Sequence, residues 1–274
     1  MSARLPIEAV DESKTIFFHQ PYSHFCCLLY AIRNFRIRKQ LCCILHEASN
    51  YNFGVASFLR AVLGTFARFI VIWLCALLGV EVRGVSKYVC STYRLAPRKI
   101  NYVHLFADAL VRHGEGAIEK RDTAVVWLRR GDTAISARII SSLSRHAGLF
   151  EIAVLGDQVE CDVFLKSGCL DARIQVISDK YRVSEERFYQ LLQSSKWFIS
   201  MYPREGFGLS AFQATYFGCV ILAQRTGALV EWLPTENYML GGNLMNGHRI
   251  EASEITAVSK INSKFAREYI ENEN

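Results

Sequence analysis

The chain alternates short apolar runs with longer mixed ones, and the alternation is most regular in its second half. TAVVWL (123–128), EIAVLG (151–156), RIQVIS (173–178), KWFISMY (196–202) and CVILAQ (219–224) are apolar runs of strand length. Stretches of helical character lie between them: AISARIISSLSRHA behind Thr133, SEERFYQLLQSS (184–195) and SAFQATYFG (210–218). Ser184 stands where an N-cap belongs, and Gly218 where a C′ glycine closes a helix. Strands apolar throughout are buried on both faces, and strict alternation with helices predicts a doubly wound parallel sheet.

The first half is less regular. KTIFFHQ (14–20) reads as a buried strand, HFCCLLYAIRNF (24–35) has helical length, and Leu41 to Leu45 form a second strand opening at His46-Glu47. Two strands around a helix predict a parallel β-α-β unit. Residues 54–80 are the most apolar part, interrupted by Arg60 and Arg68. Their uncharged portion, Phe69 to Val80, is too short to span a bilayer. A long buried helix is the first expectation; a helix lying on a membrane surface, its arginines at headgroup level, is the second. GVEVRGVSKYVCSTYRL (79–95) predicts a strand and then a short helix capped by Ser86. Residues 96–122 are weakly periodic, so three parts are expected: 1–110, 111–250 and a surface helix in 251–274.

Composition narrows the class. The 274 residues suffice for one large or two small domains. Half are apolar and no segment is of low complexity, which excludes wholesale disorder. The nine cysteines are odd in number, show no C-x-x-C spacing and mostly sit in apolar runs, as reduced cysteines of a cytoplasmic protein do. The polar, acid-bearing N-terminus does not read as a signal peptide. The net charge of +6 suits anionic ligands or a membrane surface. No basic run with interleaved aromatics points to nucleic acid.

In an open parallel sheet, ligands bind at the carboxyl ends of the strands. His46-Glu47, Arg129-Arg130, Gly156-Asp157 and the Glu205 loop all fall there. In REGFGLSAFQATYFGC (204–219) the glycines allow close backbone approach, and amides at a helix start suit a phosphate. Glu205 would repel a phosphate and fits a sugar hydroxyl instead. With Glu-Gly-Phe-Gly alone, a plain strand-to-helix turn is the simpler account.

The wider stretch says more. FISMYPREGFGLSAFQATYFGCVILAQRTGALVEWL holds Ser200, Glu205-Gly206-Phe207-Gly208-Leu209, Ala214, Gly218, Val220-Ile221, Gly227 and Glu231 in order. It resembles the donor-binding segment of retaining GT-B glycosyltransferases, specifically glycosyltransferase family 4 and the glycosyl transferases group 1 domain. The resemblance covers roughly 123–240 well, and 15–95 weakly through ILHEASN and GVSKYV. It implies two Rossmann-like domains, the N-terminal acceptor-side one reduced. It further implies that Glu205 contacts the donor sugar, that the amides of Phe207 to Leu209, with Gly206 and Gly208 in the turn, hold the diphosphate, and that His46 lies near the sugar. Arg129 or Arg130 matches the family arginine on the diphosphate. The family lysine that follows is absent, so either both arginines serve or the leaving group is less well stabilised. Gln213 replaces the glutamate that binds the ribose.

The implied activity is retaining transfer of a sugar from a nucleotide diphosphate sugar to a carbohydrate or lipid-linked acceptor, in cell-surface polysaccharide or glycolipid synthesis. The donor is a co-substrate and no other cofactor is implied. No D-x-D motif follows a strand, so no catalytic metal is expected. The cysteines point to the cytoplasm, and apolar residues 54–80 with Arg60 and Arg68 to peripheral contact at the inner membrane face. The alternative is a non-catalytic glycosyltransferase-like binding or partner subunit, in keeping with Gln213, the missing lysine and the short first half.

Overall fold

The computed structural model describes residues 16–19, 23–45, 58–93, 110–112, 119–128, 151–156, 158–166, 174–178, 184–200, 206–223, 225–238 and 251–272. The chain divides into two compact units, Met1–Ile100 and Asn101–Asn274, against an expected boundary at 110/111.

The first unit holds strands β1 (Ile16–His19), β2 (Leu41–Leu45) and β3 (Glu81–Gly84), joined through helices α1 (Ser23–Arg33) and α2 (Phe58–Leu77) and followed by α3 (Lys87–Thr92). A 3-10 turn at Phe35–Gln40, unforeseen in the sequence, leads into β2. The sheet is parallel in the order β1-β2-β3, with Ile16 beside Leu41 and Leu45 beside Gly84. Both crossovers step in the same direction, so right-handed connections put α1 and α2 on one face of the sheet, where they pack on each other. Every residue of β2 is buried, as the central strand of a covered sheet requires. Ser86 caps α3 as expected, its Oγ accepting the Val89 amide at 3.1 Å.

Helix α2 departs from the first expectation. Val71, Ile72 and Cys75 are buried, but Phe66, Ile70, Trp73, Leu74 and Leu77 are exposed. A helix apolar around most of its girth can bury only the stripe that meets a neighbour. Here the sheet and α1 supply one side alone. Among the cysteines, Cys26 on α1 is likewise exposed, whereas Cys27, Cys42, Cys43, Cys75 and Cys90 are buried thiols in no disulfide.

The second unit is a five-stranded parallel sheet in the order β6-β5-β4-β7-β8. Its strands are β4 (Arg121–Trp127), β5 (Glu151–Gly156), β6 (Ile174–Ser178), β7 (Ser195–Ser200) and β8 (Val220–Ala223). Its helices with both ends described are α4 (Gln158–Lys166), α5 (Glu185–Ser194), α6 (Leu209–Tyr216), the single turn α7 (Leu229–Trp232) and α8 (Ala252–Asn272). Inward residues of the strands, among them Val126, Val154, Ile199 and Leu222, form one core with Phe164 of α4 and Val258 of α8. The expected helix behind Thr133 lies outside the described residues. Helix α4 escapes prediction, because QVECDVFLK mixes charge and apolar positions at short length.

Caps set the helix ends. Ser184 Oγ accepts the Arg187 amide at 3.2 Å at the start of α5. Helix α6 ends in a Schellman motif: Gly218 N–H bonds Thr215 O and Cys219 N–H bonds Ala214 O, both at 2.9 Å. Gly218 has φ +71°, which glycine adopts without the penalty a side chain would bring. Helix α8 belongs to the second unit and packs on α6 rather than standing apart. Ser259 Oγ donates to Gly218 O at 2.6 Å. Two fully buried amides finish the sheet edge. Asn237 Oδ1 accepts the Ile221 amide of β8 at 2.8 Å, Asn237 and Asn262 pair reciprocally at 2.9 Å, and Asn262 Nδ2 donates to Cys219 O at 2.7 Å.

Candidate functional site

Strand order locates the site. From β4 the chain steps one way to β5 and β6, then returns to the other side of β4 to lay down β7 and β8. The reversal lies between β4 and β7, adjacent parallel strands with Val126 beside Ile199. A crevice at the carboxyl ends of strands, at such a switch point, is where open α/β sheets bind ligands. The segments leaving those two ends are Leu128 onward and the segment that returns as Gly206-Phe207-Gly208 into α6. The glycine turn and the start of α6 thus stand where the sheet geometry alone would put a ligand.

The turn is held from below. Gly208 is the N-cap of α6 at φ +84°, and its carbonyl accepts the Phe212 amide at 2.9 Å. A Cβ at Gly208 would come within 2.6 Å of Leu229 Cδ2, so conformation and space both demand glycine. Phe207 is buried and stacks on Trp232, their ring centroids 5.7 Å apart and their planes at 26°. Trp232 Nε1–H donates to Phe207 O at 2.7 Å. Phe212 packs edge-on to the same indole at 5.5 Å. One tryptophan therefore fixes the turn's backbone and its side chain together. The Phe212 amide is the first of α6 to bond within the helix, which leaves those of Leu209, Ser210 and Ala211 at its amino end outside the helical ladder. Such N–H groups, with the helix dipole, are of the kind that suits an anion.

Gln213 lies one turn into α6 and is buried. Its Nε2 donates to the Tyr189 hydroxyl of α5 at 3.1 Å, and that hydroxyl donates to Glu185 Oε1 at 2.6 Å. Burial, with the Glu185 carboxylate accepting its proton, pushes the Tyr189 phenol upward, so it remains a donor at neutral pH. The Gln213 amide nitrogen is thus tied to α5, while its carbonyl takes no part in that bond.

The remaining predicted residues are not among those the structure describes. His46, Arg129, Arg130, Glu205 and Asp157 lie outside the described residues. Gly206, Phe207, Gly208, Leu209 and Gln213 are described and contiguous. Trp232 and Tyr189, which position them, were missed. The signal for Trp232 was its place directly behind Glu231 in the matched pattern; Tyr189 carries no local signal. At the opposite, amino edge of the sheet, Lys120 Nζ donates to Leu192 O at 3.2 Å and Ser195 O at 2.6 Å. Fully buried Cys219 beside it has its thiol pushed upward by burial and bonds the same carbonyls, a structural role far from the switch point. Among the described residues no group of His, Cys, Asp or Glu could hold a metal ion.

Solved structures share this architecture. The chain superposes on a UDP-forming α,α-trehalose-phosphate synthase from Burkholderia vietnamiensis with TM-score 0.64 at 13% identity, over 95% of this chain and 68% of that one. A Burkholderia xenovorans synthase in complex with glucose-6-phosphate gives 0.62 at 9% identity, over 97% and 74%. A glycosyltransferase from Rickettsia africae gives 0.55 at 12% identity, over 93% and 72%. The fold is GT-B-like. The chain spans about two thirds to three quarters of the length of these GT-B chains. No family model and no curated protein matches the sequence.

Proposed function

We propose that this chain transfers a sugar, with retention of anomeric configuration, from a nucleotide diphosphate sugar to a carbohydrate or lipid-linked acceptor in cell-surface polysaccharide or glycolipid synthesis. The observation that carries the reading is the glycine turn before α6. Gly208 in the left-handed region and Phe207 pinned by Trp232 present the helix amino end at the switch point of a GT-B-like unit. The structural neighbours support the substrate class: one is named for forming UDP, and another was solved with glucose-6-phosphate.

In this reading the amides at the start of α6 receive the donor diphosphate. Arg129 and Arg130, following β4 in sequence, neutralise charge as the nucleotide diphosphate departs; such aimed donors are worth several kcal/mol in a water-poor site. Glu205 meets a sugar hydroxyl and Gln213 the ribose, with His46 near the sugar. No metal takes part, since the sequence holds no D-x-D motif behind a strand.

The test is a panel of UDP- and GDP-sugars with and without chelator, reading release of the nucleoside diphosphate and the product anomer by proton NMR. Release that survives chelation, an anomer matching the donor, and loss of release in Arg129→Ala/Arg130→Ala support the reading. Nucleotide binding with no release from any donor, even beside candidate acceptors, would leave a binding subunit. Chelator-abolished binding would sink the assignment altogether.

A further inference from the structure

One stretch of the chain carries all of its net charge. From Ser13 to Val80 there are seven Lys and Arg against a single acid, Glu47, a balance of +6; the whole chain has 32 against 26, the same +6. The remaining residues therefore balance to zero. The charged stretch is also the one with the uncovered helix face.

On α1, Phe25, Leu29 and Ile32 recur at helical spacing and are 48–59% exposed. On α2, Phe66, Ile70, Trp73, Leu74 and Leu77 do the same, with Phe66 at 62% and Leu77 at 76%. The two helices lie side by side on one face of β1-β2-β3, so their outward residues form a single apolar surface. Arg33, Arg36 and Lys39 are exposed at the end of α1 and in the turn behind it. Contiguous exposed apolar surface of this kind marks an interaction site.

We propose that this face docks on an anionic lipid bilayer, with α1 and α2 lying in the headgroup plane and the first unit's cations on acidic lipids. Charge decides between occupants. A second copy would bring +6 against +6. An anionic bilayer offers apolar depth and negative surface together, the pairing that interfacial basic amphipathic helices use. Trp73 stands on the face as a side chain suited to the headgroup level. No described helix is long and apolar enough to cross a membrane, so the contact is peripheral. The inference rests on the first unit alone and stands or falls apart from the transferase reading.

The test is co-sedimentation with vesicles of phosphatidylcholine alone or with about a third phosphatidylglycerol, then tryptophan quenching by lipids brominated on their acyl chains. Binding should favour the anionic vesicles and weaken with salt. Each Lys or Arg near such a surface is worth about 5-fold in affinity, so Arg33→Gln/Arg36→Gln/Lys39→Gln should weaken binding about 100-fold. Trp197 and Trp232 are buried and Trp127 half-buried, so quenching should come from Trp73 and disappear in Trp73→Phe. Phe66→Ser/Leu77→Ser should abolish sedimentation while an unchanged thermal melt shows the fold intact. No sedimentation at low salt would overturn the proposal. So would quenching that survives Trp73→Phe, or a dimer in light scattering that Phe66→Ser/Leu77→Ser makes monomeric.

Discussion

Helices α2 and α6 are both apolar around most of their circumference, and one is covered while the other is not. Residues Ala211 to Tyr216 of α6 are buried without interruption, because α8 lies across the side turned away from the sheet. The far side of α2 has no described helix across it, and Phe66 and Leu77 stay largely in solvent, with Trp73 partly so. Composition alone does not separate the two, since an all-round apolar helix is equally a core helix or an interfacial one. What separates them is a third layer. The second unit supplies one, and α6 can then present its amino end from a rigid seat.

The sharpest way to break that contrast is at its two tryptophans. Trp232→Ala removes the stacking partner of Phe207 and the donor to its carbonyl, and should cost about 3–5 kcal/mol in urea unfolding. Trp73→Ala on the uncovered helix, where the ring is partly exposed and packs on Phe69, should cost about 1 kcal/mol. Comparable losses at both would mean that α2 is covered in solution.

Gly208→Ala probes the seat itself. A side chain in the left-handed region costs about 1–2 kcal/mol, and the encounter with Leu229 adds to it. We expect about 2 kcal/mol in all, and about 10-fold weaker binding of a nucleoside diphosphate by calorimetry as the helix start shifts.

Gln213 gives a smaller and more discriminating effect. A carboxylate accepts from ribose hydroxyls about 1 kcal/mol more strongly than an amide, which favours Gln213→Glu by roughly 5- to 10-fold in donor affinity. The structure adds an opposing term. Tyr189 has one hydroxyl proton and already gives it to Glu185. A second carboxylate at 213 would be buried without a donor, costing about 1–3 kcal/mol. Gln213→Glu should therefore lose stability alone. Glu185→Gln/Gln213→Glu, with the polarity of the chain reversed, should regain it and show the tighter donor binding. A double variant no more stable than the single would show that Tyr189 does not link the two sites.

The last expectation concerns the first unit's thiols. Burial pushes Cys42 up to about 11, and a bond to Cys43, with burial, pushes Cys27 up to about 12, from an ordinary 9.0. A raised pKa keeps the proton in the folded state, so this stability is intact below pH 9 and is lost as pH rises toward 11 or 12. The slope is at most about 1.4 kcal/mol per pH unit for each thiol. Urea midpoints under reductant should thus fall from pH 8 to pH 10, and Cys42→Ala should reduce the fall.

Local chemistry was readable in the sequence and layering was not. Ser86, Ser184 and Gly218 were legible because caps are decided by neighbours three or four residues away. The alternation in 123–224 gave the parallel sheet for the same reason. The fate of α2 was hidden because it depends on whether a distant segment covers it. The glycine turn was visible as a pattern, but its support by Trp232, 25 residues on, and the tie from Gln213 to Tyr189, 24 residues back, are products of folding.

The Asn237–Asn262 pair has a consequence for how the protein is made. Strand β8 is the edge among the described strands, and the Ile221 amide would stand open there without Asn237, which is itself braced by Asn262 from the last described helix. An open edge strand recruits other chains. During synthesis the first unit and the five described strands emerge before residue 262 does, so each nascent chain passes through a stage with those strands made and the border at β8 unsealed. Ribosomes stalled just short of α8 should hold the chain at its stickiest, and a chaperone that shields β8 would be needed only until α8 emerges.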